Sequence, residues 1–182
     1  AFQPSWHDDL AHLPDGPALI LGNEFLDALA VHQFVMTGQG WRERAVTVAD
    51  GQLAWTLTPP GPAVSLLRPE HQQAKPGDMA EVSPAIRDVA ARLGRRLAQT
   101  PGAALFLDYG PARSGLGDSL QALRGHRPAD PLRDAGQADL TTHVDFAAFA
   151  AAARQAGATA FGPVEQGAFL RSLGIEQRAA ML

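Results

Sequence analysis

An α/β fold built on a parallel sheet with an inserted β-meander is what this sequence predicts, and three observations carry that prediction. Two short aliphatic runs, 18–22 and 103–107, have the unbroken apolar character of strands covered on both faces, as in a parallel sheet between helices. A strongly patterned helix precedes the second run and supplies the crossover that parallel neighbours need. Between 31 and 57 the chain instead alternates extended runs with glycine-bearing turns, the pattern of an antiparallel meander.

Taken in order, residues 5–12 read as a short helix with Ser5 as N-cap, ended by Leu13-Pro14-Asp15-Gly16-Pro17. The strand 18–22 follows, although a run this short does not by itself separate a strand from a buried helix segment. After Asn23-Glu24, the spacing of Phe25, Leu26 and Leu29 predicts one short helix. The meander then runs Gln33 to Met36, Trp41 to Val48 and Leu53 to Leu57, with turns at 37–40 and at Asp50-Gly51. A proline-rich connection from Pro59 to Gly77 carries Val64, Leu66 and Leu67 as apolar anchors. Meander and connection together form an insertion over 32–76 within a single domain, 1–182.

Ser83-Pro84 is a strong helix start, because serine caps free amides and proline tolerates the first helical position. That helix buries Ile86, Val89, Ala90, Leu93 and Leu97, exposes Arg87, Arg92 and Arg95, and stops at Thr100-Pro101-Gly102. Beyond the strand 103–107, residues 118–125 form either an edge strand or a lid segment. Thr142-His143-Val144-Asp145 is a capping-box-like start for a helix over 143–156 that closes at Gly157. Thr159-Ala160-Phe161 predicts a third strand, and a final helical region is broken at Gly174.

Composition narrows the function classes. With 182 residues, 46% of them hydrophobic, the chain is long enough for a real core. A net charge of -4 leaves no basic face for nucleic acid. Without cysteine there is neither a disulfide framework nor a thiolate metal site, and no HExxH-type spacing predicts a metal. No apolar run reaches the ~18 residues of a membrane span. Ala1-Phe2-Gln3-Pro4 has neither signal nor transit character, so a cytoplasmic protein is expected, or a mitochondrial one if a preceding segment carries the transit peptide. A hydrolase is disfavoured: GxSxG is absent, and Ser114 lies in a glycine-rich loop rather than at a strand-turn-helix elbow.

The two aliphatic strands both end in acidic residues, Asn23-Glu24 with Asp27 after the first and Asp108-Tyr109 after the second. In an open α/β sheet such ends face the ligand crevice, which predicts one shared site. The run from Asn23 to Phe34, NEFLDALAVHQF, resembles the NEFLDALPVHQF signature of the MidA-type family of S-adenosylmethionine-dependent methyltransferases. Further segments follow in that family's order: Glu81-Val82-Ser83-Pro84, Leu107-Asp108-Tyr109-Gly110, Gly117 to His126, Asp139 to Phe146 and Gly162 to Gly167. One departure is Ala30, where the family usually has proline. The resemblance covers nearly the whole chain and implies a class I, Rossmann-like methyltransferase sheet. The family's GxGxG cofactor loop would lie before residue 1 and its last strand after residue 182, so the chain is expected to be a central and C-terminal fragment, inactive by itself.

That family includes the mitochondrial complex I assembly factor that methylates a protein arginine. The resemblance therefore implies methylation of a protein, a complex I subunit, with S-adenosylmethionine as cofactor. A guanidinium acceptor needs one or two carboxylates to fork it. Glu24 is the first choice and Asp27 the support, with Asn23 bonding either the cofactor's amino acid moiety or the substrate. Asp108 is a second cofactor-binding candidate, and Tyr109, His126 and His143 are candidates for the substrate side. Each has a plainer alternative: Glu24 and Asp27 as first-turn helix charges, Asp108 and Tyr109 as turn residues, and the histidines as surface or loop-orienting groups. The alternative function is a non-catalytic protein-binding or assembly module on the same scaffold.

Overall fold

A computed structural model of the chain describes residues 3–182; the leader reading at Ala1 and Phe2 lies outside the described residues. Strand β1 (Ala18–Asn23) pairs in parallel with a strand far along the chain, called β6 below. Strands β2 (His32–Thr37), β3 (Gly40–Ala49) and β4 (Gln52–Thr58) form the meander, and β5 (Met79–Val82) returns to pair with β2, giving the antiparallel order β4-β3-β2-β5. Helix α1 (Pro84–Gln99) is the crossover into β6 (Gly102–Leu107), whose register sets Ala18 against Gly102 and Asn23 against Leu107. A second antiparallel sheet, in the order β8-β7-β9, joins β7 (Gln121–Arg124), β8 (Arg127–Pro128) and β9 (Asp139–Thr141). Helices α2 (Phe146–Gln155), α3 (Gln166–Ser172) and α4 (Ile175–Ala180) end the chain. The fold is thus α/β with parallel and antiparallel sheets.

The elements with explicit chemistry form where their residues direct. Ser83 accepts a hydrogen bond from the Ile86 amide at 3.1 Å, and Pro84 is the first helical residue, so α1 starts as serine and proline dictate. Its face buries Ile86, Ala90 and Leu93, and at Gly94 it meets α2: a Cβ there would stand 2.7 Å from the Ala153 carbonyl oxygen. Val64, Leu66 and Leu67, within the proline-rich connection, do anchor it, packing on Phe34, Ala63 and Val82. A separate cluster of Leu26, Ile86 and Val144, with Phe106 edge-on to Phe149 at 5.0 Å between ring centroids, lies under the ends of β1 and β6. Leu26 is fully buried, worth roughly 1.5–3 kcal/mol.

Several expectations are corrected. In place of a helix over 5–12 there is a 3-10 turn, Leu10–His12, capped by Asp9; Leu13 is already extended before Pro14, which stops any longer helix. Leu19 and Leu21 are 89% and 71% exposed, so β1 is covered on one face rather than two. No helix forms over 25–29, because the amides of Phe25, Leu26 and Asp27 turn to the distant Asp108 carboxylate instead. Arg87 is half-buried, donating to the Leu66 carbonyl at 2.9 Å, not exposed. α2 starts at Phe146 with Asp145 itself as N-cap, because the amides of 142–144 are already bonded elsewhere. Residues 159–161 have no strand neighbour and form no strand; Phe161 is 91% exposed.

Candidate functional site

The site is assembled where β1 and β6 end. The Glu24 amide still bonds the Leu107 carbonyl at 2.9 Å, continuing the parallel ladder, but Glu24 itself takes a φ of 46°, in the left-handed region. For a residue with a side chain that conformation costs on the order of 1 kcal/mol and concentrates at functional sites. It ends the strand abruptly and leaves the Glu24 side chain exposed at the strand's C-terminal end.

Asp108, the residue after β6, holds the next turn. One of its oxygens accepts from the amides of Phe25, Leu26 and Asp27 at 3.2, 2.8 and 3.3 Å, and the other from Tyr109 at 2.9 Å. Bonds to a charged acceptor contribute roughly 1.5–3 kcal/mol each, so this carboxylate fixes the 24–27 loop in place of a helix. Both of its oxygens thus accept backbone hydrogen bonds.

The loop so fixed turns Asp27 inward, where only 4% of it is exposed. Burial pushes its carboxyl pKa up, the negative charge of Asp108 adds to this, and Glu24 and Asp139 push the same way, against one backbone bond from Ala28. Tyr109, 54% exposed, has its phenol held protonated above the usual range chiefly by hydrogen bonding toward Glu24. The result is a carboxylate-rich mouth with a tyrosine on its rim. Negative charge gathered in this way favours a cation.

A third segment closes the mouth. Thr142 donates to the Asp27 carbonyl at 3.0 Å and Val144 to the Tyr109 carbonyl at 2.7 Å, so 142–144 lies across both strand ends. Gly110 permits this, since a Cβ there would stand 2.0 Å from the Val144 carbonyl oxygen.

The structure therefore brings Asn23, Glu24, Asp27, Asp108 and Tyr109 together, with Asn23 exposed as the last residue of β1. His143 lies within the closing segment. His126 is elsewhere: with Gly125 it forms the tight β7–β8 turn, both at positive φ, and it joins no hydrogen bond among the described residues. Sequence reasoning missed Asp139, Gly110 and Ser119. All three lie within the family-like segments read from the sequence, but none was singled out as a site residue. Among the described residues no group of three His, Cys, Asp or Glu side chains could hold a metal ion, and no helix is long and apolar enough to cross a membrane.

Comparison with known proteins gives the site a context. The family model Methyltransf_28, of S-adenosyl-L-methionine-dependent methyltransferases, matches residues 1–164. The mitochondrial protein arginine methyltransferase NDUFAF7 of Mus musculus is 38% identical over 98% of this chain and 40% of its own length. The Homo sapiens protein of the same name is 36% identical with the same coverage. The chain thus spans about two-fifths of these relatives' length. A crystal structure from Burkholderia thailandensis bound to S-adenosyl-homocysteine superposes with a TM-score of 0.81, at 29% identity, covering 98% of this chain and 47% of that one. The relatives' names say mitochondrial, which does not support the cytoplasmic expectation.

Proposed function

We propose, because the chain belongs to the family of S-adenosyl-L-methionine-dependent methyltransferases, that it is the acceptor-binding part of a larger enzyme that methylates a protein arginine. The acceptor protein is a respiratory complex I subunit, and the enzyme is mitochondrial. Within that enzyme β1 and β6 are neighbouring strands of a Rossmann-like sheet, and a glycine-rich cofactor loop comes from the remainder of the polypeptide. The exposed leucine face of β1 supports this, as does the chain's coverage of about two-fifths of its relatives.

The observation that carries the reading is the pairing of Glu24, turned out at the end of β1, with the buried Asp27 behind it. When bound, S-adenosylmethionine supplies a methyl group on a sulfonium, already activated for in-line attack. The residues present fit one flank of it: the exposed Asn23 amide, which has no side-chain hydrogen bond among the described residues, can meet its amino acid moiety, whereas Asp108 serves the loop. Glu24 and Asp27 fork the guanidinium, fix its plane and concentrate its charge on the far nitrogens, leaving one terminal nitrogen to face the methyl group. Tyr109, its phenol directed to Glu24, stands beside the same carboxylate. Positioning is most of the catalysis.

The test is Glu24→Gln in the intact enzyme. Glutamine keeps the shape and loses the charge, so transition-state stabilisation should fall by about 2–4 kcal/mol, comparable to removal of one electrostatic catalytic group. Cofactor affinity and thermal midpoint should stay near wild type, since the side chain is exposed. Undiminished turnover would remove Glu24 from the mechanism, and a collapsed midpoint would assign it to folding.

A further inference from the structure

We propose that Ser119 and Glu81 are positioning residues: from the side of the meander they hold the closing segment 142–144, and thereby set the separation of Asp27 and Tyr109. The inference rests on the methyltransferase reading above.

Three consecutive amides of that segment are held from three directions. Thr142 reaches the Asp27 carbonyl at 3.0 Å, Val144 the Tyr109 carbonyl at 2.7 Å, and His143 between them the Ser119 hydroxyl at 2.8 Å. The outer two bonds face the site. The middle one ties the segment's backbone to the antiparallel side of the molecule, beside the packing of Val144 against Leu26 and Ile86, and Ser119 is not free to drift. Its hydroxyl donates to one Glu81 oxygen while its amide donates to the other at 3.1 Å. Glu81 lies on β5 and also accepts from Gln33 of β2 at 2.6 Å.

Gln33 is 5% exposed and completely bonded. Its amide nitrogen reaches Glu81 and Asp118, and its oxygen accepts from Arg44, which forks Asp118 through two bonds of 2.9 Å. At the buried Gln33 any displacement would strand a bonded donor or acceptor, and the half-buried Glu81 and Ser119 are each held by more than one bond, while Asp118 lies at the exposed edge of the network. The network runs without a break from β3 to the His143 amide. Ser119 is thus the point at which the antiparallel sheet sets the position of a segment lying across the parallel one.

The test uses Ser119→Ala, Ser119→Thr and Glu81→Gln in the intact enzyme, with amide hydrogen exchange and methyl-transfer kinetics read on each. Loss of one hydrogen bond of about 1 kcal/mol should speed exchange at Thr142, His143 and Val144 roughly fivefold in Ser119→Ala and lower kcat by a similar factor. KM for S-adenosylmethionine should stay within about twofold, as expected when only transition-state geometry is disturbed. Ser119→Thr, which keeps the hydroxyl, should restore both readouts, and Glu81→Gln should loosen the same three amides without altering their segment. Wild-type exchange at Thr142 and Val144 together with wild-type kcat in Ser119→Ala would overturn the proposal. So would a Ser119→Thr variant as impaired as the alanine one, since packing would then be the cause. A wild-type enzyme that transfers no methyl group would sink the methyltransferase reading, and the exchange pattern would still decide whether Ser119 holds the segment.

Discussion

Asp27 is a carboxylate placed where its charge is unfavourable, beneath Leu26 and beside Asp108. Its folded pKa is raised above the 3.8 of an unperturbed aspartate, so the native state binds its proton more tightly than the unfolded chain does. Stability therefore falls as pH rises from that value through the raised one, and the penalty is fully present above it. Asp27→Asn removes the charge and keeps an oxygen for the Ala28 amide. The variant should melt above wild type near pH 8, where the buried charge is fully penalised. The gap should close near pH 4, where both states of wild type hold more of the proton. Thermal midpoints of the two proteins at both pH values check this, and no gain at the higher pH would mean that the carboxylate is not strained.

At the scale of elements, the site depends on one strand end meeting another through a segment that is neither helix nor strand. Gly110 is where that contact is tightest. Because the atom facing it is a backbone carbonyl, Gly110→Ala can be accommodated only by moving 142–144, and overpacking of this kind costs about 1–3 kcal/mol. The variant should lose both midpoint and turnover, measured by thermal melting and methyl incorporation; wild-type values for both would show that the segment is free to shift. The same contacts explain what was legible beforehand. β1, β6, the meander and α1 could be read because their signals are local: aliphatic runs, glycine turns, a serine followed by proline. The 25–29 turn could not, since the group that satisfies its amides is Asp108, more than eighty residues away. The late start of α2 was hidden for the same reason, its preceding amides being taken by Asp27, Ser119 and Tyr109. β5, β7 and β9 are too short to have a period, and their pairing fixes them.

For the molecule as a whole, the uncovered side of the parallel pair is the main departure from the fold expected of buried strands. Leu19 and Leu21 of β1 and Leu105 of β6 share that face and, with Ile20, Ala103 and Ala104, line a shallow all-aliphatic surface. An exposed patch of this kind marks an interaction surface, and the remainder of the polypeptide is the occupant proposed above. In isolation the chain should bind a hydrophobic dye and self-associate, and Leu19→Thr with Leu21→Thr should suppress both while leaving β1 formed, as threonine suits a strand. Dye fluorescence and light scattering would show it; an unchanged signal would mean that the patch is not what drives association. The carboxylate cluster was legible as two acidic strand ends, but the direction each side chain takes was not, because it is set by a left-handed residue at Glu24 and by bonds between distant segments. The measurement that bears most directly on the whole account is to give the intact enzyme isotopically labelled S-adenosylmethionine with its acceptor protein and to locate the label by mass spectrometry. The account predicts the methyl group on a terminal nitrogen of an arginine side chain. Label on a lysine or a carboxylate, or no label despite cofactor binding, would contradict it.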